Sequence, residues 1–366
     1  METFSHSESE SKAMSTPYRV GVIGTGKPWK TEGATGFGMA HSHVTGYQKT
    51  GRCELAAVCD IKRDLAEAFA QQYGCAGVYT DYQAMLAEAD LDIVSICTWP
   101  HLHEPMVRAC AEARVKAIHC EKPMSATWGE AKRMHQLCVA NGVQLTFNHQ
   151  RRFLEPFQRA KALLSEGAIG ALRRIEGTCD NIYDWGTHWL DMFFFYNDET
   201  PPEWVIGQID SRTERSVFGV RLEDQAICHF KFRNGVRGLL ICGYEADLGC
   251  ANRLIGEEGM IEIGWQAPWL RVRGVGDAQW RVVETAEGIH DSVGIDRAVA
   301  DLVACLDSGE RPLLSSYNAI HATEVIFATY ESSRRRGRVD LPLTTEDSAL
   351  LSMLEANLIG PNAAKP

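Results

Sequence analysis

Between residues 18 and 148 the chain repeats one rhythm: a short apolar run, a turn, and a stretch of helical periodicity. YRVGVIG from Tyr18, ELAAVCD from Glu54, LDIVSICT from Leu91, and the runs at 115–120 and 143–148 read as strands. Residues 64–73, 81–89, 104–113 and 128–141 read as the helices between them. Apolar strands without polar alternation are buried on both faces, and strand–helix alternation predicts an α/β fold with a doubly wound parallel sheet. Sheets of this kind bind ligands at the carboxyl ends of their strands.

The residues at those ends carry the chemistry. The first strand runs into Gly24-Thr25-Gly26. Glycines there let the backbone approach a pyrophosphate, and a following helix N-terminus supplies N–H groups. A third glycine does not arrive at the usual spacing. KPWKTEGATGF intervenes, and the helix is expected to start near Gly38. Ordinary βα loops run about 2–6 residues, so this is an insertion of roughly ten at the mouth of the site. It reads either as cover for the pocket, with Trp29 over it and Lys27 and Lys30 near phosphate, or as a solvated loop with one packed tryptophan.

The second strand ends in Asp60, 22 residues after Gly38. That is close to the ~20-residue spacing of the carboxylate that binds an adenosine ribose. A carboxylate there accepts from both ribose hydroxyls and repels a 2′-phosphate, so NAD is expected over NADP; Lys62 and Arg63 are the argument for NADP. The next apolar strand runs into Thr98-Trp99-Pro100-His101-Leu102-His103. The one after it stops at Glu121-Lys122-Pro123, and Thr127-Trp128-Gly129-Glu130 reads as a capping box opening a helix. Lys122 therefore belongs at the carboxyl edge of the sheet.

After residue 150 strands dominate, at 172–179, 203–211, 226–233, 236–244 and 260–263, with Asn234-Gly235 as a hairpin signal. Helices are expected at 154–166, 184–196, 295–306 and 317–336. Arg334, Arg335 and Arg336 complement the dipole of the last one. This is a second, α+β domain with a large, mostly antiparallel open sheet. The expected divisions are a disordered tail at 1–16 (Met14 is a candidate natural start), a nucleotide-binding domain at 17–149, a substrate and oligomerisation domain at 150–340, and a C-terminal tail at 341–366.

A net charge of −11 without a basic run argues against nucleic acid or an anionic membrane as partner, and no apolar stretch reaches transmembrane length. The twelve cysteines are scattered singly, as buried thiols are in a reducing compartment, which predicts a cytoplasmic protein. His41, His43, His101, His103 and His119 fall without a carboxylate pattern, so no metal is expected.

In order and spacing these motifs, with Asp184-Trp185-Gly186-Thr187-His188, resemble the glucose–fructose oxidoreductase/inositol dehydrogenase/MocA (Gfo/Idh/MocA) family. The likeness extends through Asn148-His149-Gln150-Arg151-Arg152-Phe153, Gly167-Ala168-Ile169-Gly170 and Gly256-Glu257-Glu258-Gly259, over roughly residues 18 to 340. It departs in the glycine-loop insertion and in Trp99-Pro100, where the family usually has proline-asparagine. The resemblance implies a Rossmann domain and an α+β domain whose open sheet covers the substrate and commonly forms a dimer or tetramer interface. It also implies nicotinamide chemistry on a sugar, cyclitol or related carbonyl. Gly24, Thr25, Gly26, Asp60, Ile61, Thr98, Trp99, His103, Glu121 and Lys122 are then expected along the cofactor.

Lys122, Asp184 and His188 are the expected catalytic set. An ammonium stabilises a developing alkoxide, and an imidazole with a pKa near working pH takes the hydroxyl proton. Asp184, one helical turn before His188, is expected to orient the imidazole or to hold a neighbouring substrate hydroxyl. Arg151, Arg152, Tyr183 and Trp185 are candidate sugar contacts. Two other outcomes remain open from sequence: redox-assisted cleavage of a glycoside by the same residues, and an NAD-sensing regulator without catalysis.

Overall fold

The computed structural model describes residues 16–244 and 246–363; the N-terminal tail expectation falls, apart from Thr16, outside the described residues. Six parallel strands form the first sheet: β1 (Tyr18–Ile23), β2 (Cys53–Cys59), β3 (Gly77–Tyr79), β4 (Ile93–Ile96), β5 (Ala117–Cys120) and β6 (Gln144–Phe147). Their order is β3-β2-β1-β4-β5-β6, so the winding reverses between β1 and β4. The connecting helices are α1 (Met39–Thr50), α2 (Arg63–Tyr73), α3 (Tyr82–Glu88), α4 (His103–Glu112) and α5 (Trp128–Asn141). β4 and β5 are buried at every residue, which is why they read as continuous apolar runs. β3 has three half-buried residues, too few to leave a period in the sequence.

The capping box at α5 forms in full. Glu130 N donates to Thr127 Oγ1 at 3.4 Å, and Thr127 N donates to Glu130 Oε2 at 3.0 Å. This fixes the turn immediately after Lys122-Pro123, whose peptide bond is cis.

The second domain holds α6 (Glu155–Ser165), β7 (Leu172–Cys179), α7 (Gly186–Tyr196), β8 (Pro202–Asp210), the hairpin β9 (Ser216–Val217) and β10 (Val220–Arg221), β11 (Gln225–Phe232), β12 (Arg237–Gly243), β13 (Asn252–Gly256), β14 (Gly259–Ile263), β15 (Leu270–Gly274) and β16 (Arg281–Val282). The chain then returns through α8 (Val293–Ser308), α9 (Ser316–Arg335), β17 (Val339–Asp340) and α10 (Ala349–Glu355). The nine-stranded sheet has the order β16-β15-β14-β13-β7-β12-β11-β8-β17, and its one parallel pair is β7 with β12. Asn234-Gly235 turns the β11–β12 hairpin, with Gly235 at φ +94°. Arginines interrupt the apolar pattern of β15 (LRVRG) and flank that of β13 (NRLIG), and neither strand is legible by period.

α7 is buried at every position from Gly186 to Tyr196. Its Phe193 and Phe194 stack on Phe230 of β11, so a helix carrying catalytic candidates is locked to the sheet. Two sets of contacts cross the expected divisions. α8 packs on α1 of the first domain, where Lys49 and Arg52 pair with Asp296 and Asp307. Residues 341–363 are not a tail: Leu343, Leu350 and Met353 are buried, Trp128 Nε1 donates to the Leu343 carbonyl at 3.1 Å, and Gly129 N to that of Glu346 at 2.8 Å. Apolar burial, invisible in so short a polar-looking segment, holds it down.

Candidate active site

Gly24 sits at φ +87°, and a Cβ on it would lie 2.8 Å from the Cys97 carbonyl oxygen, so only glycine fits. At Gly26 a Cβ would meet nothing, because the turn opens outward. Thr25 N, Thr25 Oγ1 and Gly26 N donate to Asp60 Oδ2 at 3.0, 3.0 and 3.1 Å, and Lys62 N donates to Oδ1 at 2.9 Å. The carboxylate thus ties the glycine turn to the end of β2, with Ile61 beside it 87% exposed. No side chain caps α1 at Gly38, which leaves its first N–H groups to an anion. Open glycine turn, uncapped helix and strand-end acid together fit a dinucleotide.

The insertion resolves into an arm across the cleft. Trp29 packs on Phe37 (5.4 Å between ring centroids), and Phe37 on Phe218 in the β9–β10 turn (6.1 Å). A cavity of about 500 Å³ lies under it, lined by Trp29, Phe37, Val217, Phe218 and Asp184. The loop's lysines are engaged within the loop itself: Lys27 Nζ donates to the Glu32 carbonyl at 2.9 Å, and Lys30 Nζ lies 4.2 Å over the Trp29 ring. Trp99, 41% exposed, stands against Gly219 of the same turn. Thr98 donates from Oγ1 to Met106 Sδ at 3.4 Å.

At the end of β5, Glu121 is buried. Its Oε1 accepts from Asn148 Nδ2 at 2.7 Å and lies 2.9 Å from His43 Nε2, while His43 Nδ1 is 3.1 Å from Ser95 Oγ. Burial would raise this carboxyl, but the His43 bond and charge, Asn148 and Lys122 outweigh it and bring the pKa down to about 2. Sequence reasoning missed His43 and Asn148 as its supports. The available signal was that His43 and Tyr47 lie four apart on the buried face of α1, and that Asn148 follows β6 directly.

Lys122 Nζ donates to Asp184 Oδ1 at 2.6 Å and to the Asp184 carbonyl at 3.3 Å. A partly buried ion pair therefore joins the two domains at this point. Asp184 is itself fixed by its N–H on Asn181 Oδ1 at 2.6 Å. His188, one turn further on, is buried with Nδ1 unpartnered. Asp184 thus positions Lys122 and makes no hydrogen bond to the imidazole. Burial, then the charges of Arg151, Lys122, His149 and His290, hold His188 well below the ordinary histidine pKa, so it is neutral.

Of the four sugar-contact candidates, two are corrected. Arg152 is fully buried, with Nε on Asp191 Oδ2 at 2.7 Å and Nη1 on Glu199 Oε1 at 2.5 Å; it is a structural tie. Tyr183 is buried and donates to the Ser125 carbonyl at 2.9 Å. His103 is likewise fully buried, its ring nitrogens 3.0 and 3.1 Å from the carbonyls of Met124 and Thr98. Burial depends on distant partners, which no local motif reveals. Trp185 is half-buried against Trp265 and His290. Arg151 lies over the rings of Trp185 and Trp189, at 5.5 and 4.9 Å. Among the described residues no group of three His, Cys, Asp or Glu side chains could hold a metal ion.

Residues 18–149 match the family described as an oxidoreductase family with an NAD-binding Rossmann fold, and residues 181–262 match the GFO/IDH/MocA C-terminal domain. The chain belongs to the Gfo/Idh/MocA oxidoreductases, and its cofactor is NAD. It is 27% identical over 321 residues to D-apiose dehydrogenase of Rhizobium rhizogenes, covering 78% of this chain and 90% of that one. To the inositol 2-dehydrogenase/D-chiro-inositol 3-dehydrogenase of Shouchella clausii it is 27% identical over 265 residues, 67% and 71% of the two chains. Its fold matches a levoglucosan dehydrogenase solved with NADH and levoglucosan at a TM-score of 0.76 and 21% identity, covering 90% of this chain and 100% of that one.

Proposed function

We propose that the protein is an NAD-dependent dehydrogenase that oxidises a secondary hydroxyl of a sugar or cyclitol. The observation that carries this is the Lys122–Asp184 pair, formed across the two domains at 2.6 Å and one helical turn from a neutral His188. Bound NAD supplies the hydride acceptor. Lys122 hydrogen-bonds the substrate oxygen as an ammonium and stabilises the negative charge that develops on it. Asp184 holds that ammonium in place. His188, neutral in this setting, takes the hydroxyl proton. Glu121, Gly24, Gly26 and Asp60 line the path of the cofactor. The relatives named for D-apiose and inositols act on polyhydroxylated compounds, which supports the substrate class.

The test is the rise in reduced-cofactor absorbance when the protein is offered sugars and cyclitols with NAD. Steady NADH formation, lost in Lys122→Ala, is expected; turnover without net NADH would replace oxidation by cleavage.

The same reading places the protein in the cytoplasm as a homodimer or homotetramer. Its twelve cysteines are all free, and no helix among the described residues is long and apolar enough to cross a membrane. On the outer face of the second sheet, Ile206 and Ile227 are exposed and Ile227 pairs with Ile241. Light scattering on the purified protein reads the assembly directly, and Ile227→Lys is expected to dissociate it.

A further inference from the structure

Arg151 stands out among the buried charges. It is only 5% exposed, and its Nε and Nη1 are buried with no hydrogen-bond partner. Among the described residues no carboxylate lies within ion-pair distance of it. The neighbouring Asp184 is already taken by Lys122 at 2.6 Å, so those two charges cancel and the guanidinium is left over. What holds it are two aromatic faces, Trp185 and Trp189, on the helical segment that also carries Asp184 and His188. Cation–π contacts orient a guanidinium and leave its in-plane donors unused. A buried cation with unspent donors is unfavourable until an anion meets it, and a planar fork of N–H groups matches a carboxylate. Desolvation accordingly pulls Arg151 down to about 10, with the Asp184 charge opposing it.

We propose that Arg151 receives a carboxylate of the substrate, so that the polyol oxidised at Lys122 and His188 is a sugar acid, an aldonic or uronic acid, and not a neutral sugar. This rests on the dehydrogenase reading above for the identity of the reacting hydroxyl, but the anion site can be tested without turnover.

The experiment compares hexuronic and aldonic acids with their neutral parent sugars on the NAD-loaded protein, by NADH formation and by thermal shift. The expected result is a kcat/KM for the best acid about 10²-fold above its neutral parent, since a charge-assisted pair is at stake. Arg151→Met should shrink that ratio to near one, and Arg151→Lys should restore it only in part, because an ammonium lacks the planar fork. Both variants should fold, as no ion pair is lost; their unfolding midpoints check this. A neutral parent turned over as well as its acid, or a ratio unchanged in Arg151→Met, overturns the proposal while leaving the dehydrogenase standing. An acid that raises the melting temperature of the wild type but not of Arg151→Met, with no NADH formed, upholds the anion site and removes the dehydrogenase. If no acid binds and none is turned over, the anion site is wrong.

Discussion

Glu121 and Arg151 flank the proposed catalytic groups, one beside Lys122 and the other beside His188, and both are charges taken out of water. Glu121 is met by His43 and Asn148 and held down to about 2; Arg151 is met by two indole faces and keeps buried donors unpaired. The contrast repeats at single-residue resolution between Arg151 and Arg152: the second is fully buried between Asp191 and Glu199, the first has neither. A buried charge with partners in the chain is architecture. One without them has been left for something that the chain does not contain.

The largest effects test the proposed catalytic pair, Lys122 and His188, between these two charges. Lys122→Ala and His188→Ala should each lower kcat/KM by about 10²–10⁴-fold, with NAD affinity by fluorescence titration little changed for His188→Ala. Because Asp184 acts through Lys122, Asp184→Ala should add little on a Lys122→Ala background. Full additivity in steady-state kinetics would show that Asp184 works independently and that the 2.6 Å contact is incidental.

Next in size is the arginine comparison itself. Arg152→Leu leaves Asp191 and Glu199 without their cation, and breaking a buried pair costs about 3–5 kcal/mol. Arg151→Met removes a charge that has no partner, so its stability should match or exceed the wild type. Urea unfolding of the two variants side by side gives the answer, and equal losses would erase the distinction drawn between the two buried charges.

What was legible from sequence divides along the same line. Strand ends of the first domain, Gly24, Asp60 and Lys122, are announced by local pattern: a glycine turn, an acid closing an apolar run, a capping box. Their partners are not. That Asp184 would bond Lys122 and not His188, that Arg152 would be tied and Arg151 free, and that Tyr183 and His103 would turn to backbone carbonyls all depend on contacts 5 to 62 residues apart. Strands β13 and β15 were hidden by arginines on a sheet face, and α10 by its brevity. The packing of α8 on α1 crosses about 250 residues of chain (Lys49 to Asp296), which periodicity cannot register.

A smaller effect is read by pH. Burial lowers His149 and His321 to about 4, so both are neutral when folded, whereas in the unfolded chain they take up protons below about 6.5. Between these values the unfolded state binds more protons, and stability falls as pH falls. Glu199, Glu223 and Glu324, raised by burial, act in the opposite sense and offset part of the slope. The melting temperature should therefore drop from pH 6.5 toward 4. His321, stacked on Phe194 away from the catalytic groups, is the residue to change: His321→Gln should flatten the slope.

The smallest effect asks how rigidly the first domain holds Lys122. The corner is fixed on one side by β5 and on the other by the Thr127–Glu130 box. Thr127→Ala removes one cap bond and should cost about 1 kcal/mol of stability. Lys122 has a second anchor in Asp184, so fraying at the first turn of α5 should not move its ammonium. The expected outcome is a lower unfolding midpoint with kcat within about twofold of wild type, since twofold in rate corresponds to only ~0.4 kcal/mol at the transition state. A fall in kcat much beyond that, at a temperature where the variant is fully folded, would mean that the cap and not the carboxylate sets the lysine. The ion pair across the domains would then follow from the geometry of the corner instead of determining it.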